Sequence, residues 1–259
     1  MNKNLFVNDD CLKVLKDMPD ESVDLIVTDC PYKIVAGGIK QNLKGNEPSG
    51  ILNGRRFIAD NSKLSQKWLP KNSLNTPSAV RQGKMFDNND IEFEDWLPEL
   101  YRVLKQNSHC YIMINGRNLK DLWQKAENVG FVWQNILVWD KGNATPNSYY
   151  MQSVEYVLFL RKGNAKYIND MGSKTLISIP NIIGKKIHPT EKPIALFKHL
   201  VENSSKKGDL ILDPFAGICP LAVACYETDR NFICIDLDKD FIKAGEERYN
   251  IKTAQGRLF

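Results

Sequence analysis

Val23-Asp24-Leu25-Ile26-Val27-Thr28-Asp29-Cys30-Pro31-Tyr32 is the stretch on which the fold turns. Its first half is an apolar run of the kind that a strand buried on both faces of a parallel sheet requires. Its second half sets a carboxylate, a proline and an aromatic ring at the carboxyl end of that strand. In open α/β sheets ligands bind in the crevice beyond the carboxyl ends of the strands. Taken alone, the segment also fits a strand followed by a capped turn, and the rest of the chain decides between the two.

Working outward, Leu5-Phe6-Val7 reads as a short strand, and Asn8-Asp9-Asp10 caps a helix running to about Met18. Beyond the opening stretch, residues 33–90 hold many glycines and prolines and no sustained periodicity, so they read as an insertion. Helical spacing resumes over Phe93–Lys105. Cys110–Ile114 is a buried strand, and Leu119–Val129 is a helix ended by Gly130. Phe131–Trp139 and Val154–Leu160 are two strands in succession, which suggests an antiparallel pair at the sheet edge. Residues 163–186 read as loop. A helix near Pro193–Ser204, a strand Leu210–Asp213, a helix from Pro220, a strand Phe232–Asp236 and a helix Asp240–Tyr249 close the chain. This alternation predicts a doubly wound α/β sheet.

Length and composition set the outer limits. The chain of 259 residues is long enough for one α/β domain spanning 1–259, with 33–90 as a basic inserted region. Hydrophobic content of 42% and charged content of 25% are those of an ordinary globular protein. There is no apolar run of about 18 residues and no leader-like apolar stretch at the start, so no membrane partner is expected. The six cysteines form no Cys-x-x-Cys pair and the three histidines no ligand spacing, which predicts no metal site and a reduced, cytoplasmic protein.

Charge is unevenly spread. Residues 33–86 carry ten basic side chains against Glu47 and Asp60, a surplus of eight. With a whole-chain charge of +4, the remainder sums to −4. A basic segment on an acidic body suggests a polyanionic partner, and a solvated lysine-rich loop is the alternative. Lys33, Arg55, Arg56, Lys63, Lys67, Arg81 and Lys84 are the candidate nucleic-acid contacts. Phe57 and Trp68 offer rings that could stack, or anchor the segment locally. Asn143–Ser153, between the two successive strands, is a second candidate DNA-facing loop.

The C-terminal third reads as a mononucleotide-binding unit in outline. Strand Leu210–Asp213, a turn with Gly217, a helix and a strand ending in Asp236 place that acid 23 residues after Asp213. A spacing of about 20 suits a carboxylate that accepts from ribose hydroxyls. One glycine in place of three argues against a pyrophosphate cradle and for a nucleoside without phosphates.

These segments together resemble the β class of amino-group DNA methyltransferases. Asp213-Pro214-Phe215-Ala216-Gly217 with Asn231–Asp236 is similar to the family's S-adenosylmethionine-binding motif, and Thr28–Tyr32 to its catalytic motif, usually Asp-Pro-Pro-Tyr. His188-Pro189-Thr190-Glu191-Lys192-Pro193 is similar to a third cofactor-site motif, and Asp10-Cys11-Leu12 to the turn that touches the adenine. The catalytic motif comes first and the cofactor motif last, the permuted order of that class. The resemblance implies a mostly parallel, seven-stranded, circularly permuted methyltransferase sheet with an antiparallel edge strand, in which the first and last strands are neighbours.

It also implies roles. Asp29, Cys30, Pro31 and Tyr32 would be catalytic. Asp10, Cys11, Asp29, Thr190, Lys192, Asp213, Phe215, Gly217, Asp236 and Leu237 would bind S-adenosylmethionine. Double-stranded DNA is the implied partner, with a homodimer and a cognate restriction endonuclease as candidates. Cys30 stands where the family has proline, and Cys219-Pro220 where it has Gly-Thr-like residues, which would put a side chain where backbone approaches the cofactor. Pro220 itself suits the first helical position.

The expected chemistry follows from the amine. An exocyclic amino group is a poor nucleophile because its lone pair is delocalised into the ring. The Asp29 carboxylate and the Cys30 carbonyl would accept its two N–H bonds and stabilise charge as it develops. Tyr32 would stack on an extruded base. Aspartate at this position goes mostly with adenine N6 and serine with cytosine N4, so adenine is expected and cytosine N4 is the alternative. An RNA or protein-glutamine methyltransferase and a non-catalytic DNA-binding relative are the rival readings.

Overall fold

The computed structural model describes residues 4–31, the backbone of 49–52 and 55–58, and residues 91–145, 150–182 and 191–256. The chain divides into two compact units. Residues 1–31, 91–143 and 153–259 make the first, and residues 32–90 with 144–152 the second.

In chain order the elements are β1 (Leu5–Asn8), α1 (Cys11–Asp17), β2 (Val23–Asp29), β3 (Ser49–Leu52), β4 (Arg55–Ile58), α2 (Phe93–Val103), β5 (Leu104–Ile114), α3 (Leu119–Val129), β6 (Val132–Thr145) and β7 (Gln152–Lys162). Then come β8 (Leu176–Ser178), α4 (Ile194–Ser204), β9 (Leu210–Asp213), α5 (Pro220–Glu227), β10 (Asn231–Asp236) and α6 (Lys239–Gly256). Eight strands form one sheet in the order β1-β10-β9-β2-β5-β7-β6-β8. The first five run parallel, β7 is antiparallel to β5, and β8 is parallel to β6.

The apolar run that opened the reading is the middle of this sheet. Val23, Leu25, Ile26 and Val27 of β2 are fully buried, each contributing about 1.5–3 kcal/mol. Trp96, Trp139, Tyr111, Phe197 and Phe232 fill the largest core volumes. Gly130 ends α3 in a left-handed conformation (φ +115°), and its N–H returns to the Ala126 and Glu127 carbonyls. The chain ends meet as the permuted order requires. β1 pairs with β10 from Leu5↔Ile233 to Asn8↔Asp236, and Asn8 Nδ2 donates to the Asp236 and Leu237 carbonyls at 3.1 and 2.9 Å.

The fold class is the one read from the sequence, with two differences of detail. The sheet has eight strands rather than seven, and antiparallel β7 lies between β5 and β6 rather than at the edge. The added strand is β8, whose three residues bury only Ile177 and so leave no period to read. Its place comes from pairing with β6, Val138↔Leu176 to Asp140↔Ser178. Within the second unit, β3 and β4 pair antiparallel from Ser49↔Ile58 to Leu52↔Arg55, in a region expected to be an unstructured insertion.

Candidate active site

Four neighbouring strands, β1, β10, β9 and β2, end in acids or lead straight into them: Asp9-Asp10, Asp236, Asp213 and Asp29. The chain moves from β9 to β10 in one direction across the sheet and from β2 to β5 in the other. The switch point where ligands enter open α/β sheets therefore lies between β9 and β2. Thr28 bridges it, its hydroxyl donating to Asp213 Oδ1 at 2.7 Å.

Among the described residues Asp29 is held on one oxygen only: Lys192 Nζ donates to Oδ2 at 2.6 Å, while Oδ1 is buried without a hydrogen-bond partner. Burial raises the Asp29 carboxyl above its ordinary pKa, and the Glu155 charge adds to this, against the lowering effect of Lys192. Cys30 turns inward, its thiol donating to the Met113 carbonyl at 3.5 Å. Burial pushes that thiol well above the ordinary range, which leaves no thiolate to act as a nucleophile. Asp213 Oδ1 also accepts from Phe215 N at 3.1 Å, and burial pushes this carboxyl up to about 7.

The turn after β9 fits the nucleoside cofactor that the resemblance implies. Gly217 is left-handed (φ +50°), and a Cβ built there would meet nothing within 4 Å, so open space adjoins the backbone. Asp236 holds the turn, Oδ2 accepting from Gly217 N at 2.7 Å and Oδ1 from Asp238 N at 2.9 Å. Each oxygen keeps a lone pair with which to accept from a ribose hydroxyl. Cys219 does not obstruct this space. It is fully buried, and its Cβ and Sγ lie 2.8 Å from where a Cβ on Gly245 would stand. The expected intrusion is thus absorbed by a glycine on α6. Pro220 opens α5 as anticipated.

The remaining nominated residues are distributed as follows. Asp10 caps α1 through Leu12 N at 2.8 Å, Cys11 is buried, with its thiol pushed up to about 12 by burial and the Asp10 charge, and Leu237 is exposed beyond β10. Phe215 packs edge-on against Trp96 at 5.2 Å. Lys192, nominated for the cofactor, stands on the Asp29 carboxylate. Tyr32, Lys33, Lys63, Lys67, Arg81, Lys84 and Thr190 lie outside the described residues, and Arg55 and Arg56 are placed as backbone of β4. Two charged residues were missed: Glu155 of β7, which shares Lys192 with Asp29, and Lys141 of β6, which holds Glu155. The signal for Glu155 was a charge just ahead of the apolar run Tyr156–Leu160, whereas Lys141 lies in a polar stretch, Asp140–Asn143, that gave none. Among the described residues no group of three or more His, Cys, Asp or Glu could hold a metal ion, and no helix is long and apolar enough to cross a membrane.

Sheet order, switch point and a half-paired carboxylate define an α/β group-transfer enzyme of the methyltransferase type. The chain belongs to the DNA methylase family, whose model matches residues 23–247. It is 29% identical over 267 residues to the Type II methyltransferase M2.DpnII of Streptococcus pneumoniae, covering 95% of this chain and 90% of that one. It is 26% identical to M.HinfI of Haemophilus influenzae, over 95% and 68% of the two chains. The structure of the M1.HpyAVI–SAM complex superposes with a TM-score of 0.63 at 21% identity, covering 93% of this chain and 97% of that one. The cytosine-N4-specific PvuII DNA methyltransferase also reaches 0.63, at 14% identity over 93% and 84%.

Proposed function

We propose that this DNA methyltransferase transfers a methyl group from S-adenosylmethionine to the exocyclic N6 of adenine in duplex DNA, after flipping the base out of the helix. The observation that carries this reading is Oδ1 of Asp29, a buried acceptor at the switch point that has no partner among the described residues. Leaving such an atom unsatisfied costs about 1–3 kcal/mol, and a donor N–H on the target amine removes that cost when the substrate binds. S-adenosylmethionine supplies, when bound, a methyl group on a positively charged sulfur. Asp10, Asp213, Phe215, Gly217 and Asp236 are the residues that would hold it, and Leu237 and Thr190 are assigned with them from the resemblance.

The work of the chain itself is to prepare the amine. Asp29 Oδ1 and the Cys30 carbonyl accept its two N–H bonds, drawing the lone pair out of the ring and stabilising the positive charge that develops on nitrogen. From the resemblance, Pro31 would fix the turn and Tyr32 would offer a face for the flipped base. Digesting methylated DNA to nucleosides and weighing them tests the reading, and N6-methyladenine is the expected product. N4-methylcytosine is the second reading, favoured by the likeness to the PvuII enzyme's fold. That product would overturn the adenine assignment and keep the class. DNA binding with no methyl transfer to any DNA would support a non-catalytic relative.

The basic residues of 33–86 are assigned to the DNA backbone. Both segments nominated for DNA, 33–86 and 143–153, fall largely in the second unit of the chain, and the relatives' Type II designation fits a restriction–modification setting with a cognate endonuclease. Neutralising Arg55 and Arg56 together is expected to weaken binding to all sequences and to flatten the salt dependence by up to about 0.9 per lost phosphate contact. An unchanged slope returns the segment to a solvated loop.

A further inference from the structure

Among the described residues, the charged groups facing Asp29 are Lys192 ahead of α4, Glu155 on β7 and Asp213 on β9, with the Cys30 thiol adjoining it. Lys192 Nζ lies 2.6 Å from Asp29 Oδ2 and 3.3 Å from Glu155 Oε2. Lys141 Nζ lies 3.3 Å from the other oxygen of Glu155. The side chains of Lys192 and Lys141 are only 7% and 11% exposed. The four groups alternate in sign, carboxylate, ammonium, carboxylate, ammonium, and cancel.

One lysine on one oxygen would suffice to hold a catalytic carboxylate. A second carboxylate on the same ammonium does something different, because it divides the charge of Lys192 between two anions. Asp29 is then gripped less tightly and remains a stronger acceptor than an undivided pair would leave it. Lys141 holds Glu155 from the far side, so that Glu155 does not draw Lys192 away altogether.

We propose that Glu155, braced by Lys141, is a positioning residue for amino-methyl transfer: by sharing Lys192 with Asp29 it leaves Oδ1 open to the target amine and sets how strongly that carboxylate accepts. This rests on the function proposed above. The electrostatics agree in sign. Burial is the largest influence raising Asp29, the Glu155 charge raises it further, and Lys192 lowers it. Burial likewise raises Glu155, but its two lysines outweigh that and hold it below its ordinary range.

The test is a carboxyl ¹³C NMR titration of the full chain without cofactor, with the Asp29 signal assigned by its loss in Asp29→Asn. In Glu155→Gln, with one anion fewer on Lys192, the Asp29 midpoint should move to lower pH by about 0.5–1 unit, whereas Lys192→Met should move it higher. An unmoved or raised midpoint in folded Glu155→Gln overturns the proposal. Should that variant not fold, Lys141→Met carries the test. Glu155 then takes more of Lys192, so a raised Asp29 midpoint supports the proposal and an unmoved one overturns it.

Turnover supplies the second readout. Glu155→Gln should lower kcat by roughly tenfold per unit of midpoint shift, with KM for DNA within about twofold and the acid limb of the kcat profile moved to lower pH. Glu155→Asp should recover part of the loss. A fall in kcat with an unmoved acid limb means a merely structural role. If Asp29→Asn methylates normally, the functional reading fails, while the titration still decides whether Glu155 tunes Asp29.

Discussion

Two of the buried lysines, Lys162 and Lys192, mark the amino and carboxyl edges of the sheet, and their surroundings differ in kind. Lys162, at the amino edge, donates to the backbone carbonyls of Tyr101 and Leu104 at 2.9 and 2.8 Å and lies 3.3 Å from Glu21. It thereby closes the carboxyl end of α2, where helical carbonyls lack intrahelical donors. Lys192, at the carboxyl edge, has carboxylates instead, and one of them keeps an oxygen without a partner among the described residues. Lys162 is committed chiefly to fixed backbone groups that do not titrate, with Glu21 as its one carboxylate partner among the described residues. The Lys192 cluster holds an acceptor in reserve. A buried polar group left open costs stability wherever it occurs, so of these two lysine sites the one at the carboxyl edge is where an incoming donor would be accepted.

The sharpest way to break this contrast is Asp29→Ala. Transfer is expected to fall at least about 100-fold, as when a group aimed at developing charge is removed. Cofactor affinity should stay within about tenfold, or 1.4 kcal/mol, as measured by calorimetry. Near-normal methylation would mean the active site lies elsewhere. Lys162→Met should do the reverse. Its loss leaves at least two carbonyls short of a donor and should cost about 1–3 kcal/mol in denaturant unfolding, with kcat per folded molecule unchanged. If Lys162→Met lowered kcat without lowering stability, the two edges would not divide the work in this way.

The parts of this contrast that sequence could show are those carried by one strand at a time. β2 announces itself because burial on both faces leaves Val23 and Leu25-Ile26-Val27 apolar, with only Asp24 between them, and the acids at the ends of β2, β9 and β10 are visible because each closes its own strand. Partnerships across strands leave no such trace. Lys141 and Glu155 lie 14 positions apart on different strands, with nothing in either segment to pair them. Lys192 sat in a motif that pointed to the cofactor, and only the approach of the segment before α4 to β2 brings it to Asp29. The hairpin β3–β4 is a different case. Asn53-Gly54 between its strands is a strong two-residue hairpin signal, overlooked because the glycines and prolines around it read as an insertion. Cys219 read as an obstruction because sequence does not show that α6 offers Gly245 to receive it.

The smallest expected effect tests the contrast through pH. Thr28 donates to Asp213, whose carboxyl burial raises from 3.8 to about 7. A group raised in this way contributes stability that is full below about pH 3.8 and is lost as pH rises through about 7. The Thr28 hydroxyl opposes that loss, because it stabilises the charged form and lowers the pKa. Thr28→Val should therefore raise the Asp213 midpoint further and destabilise the protein more above pH 7 than below it. The difference should be about 1 kcal/mol, seen as a separation of the two proteins' urea midpoints that widens from pH 6 to pH 8.5. Lys162→Met removes contacts to backbone carbonyls, which carry no titration, and its cost should change less over the same range. A Thr28→Val penalty that is flat with pH would show that Asp213 is not ionising beside β2, and would remove the charge coupling between β9 and β2, the strands to which cofactor binding and catalysis are assigned.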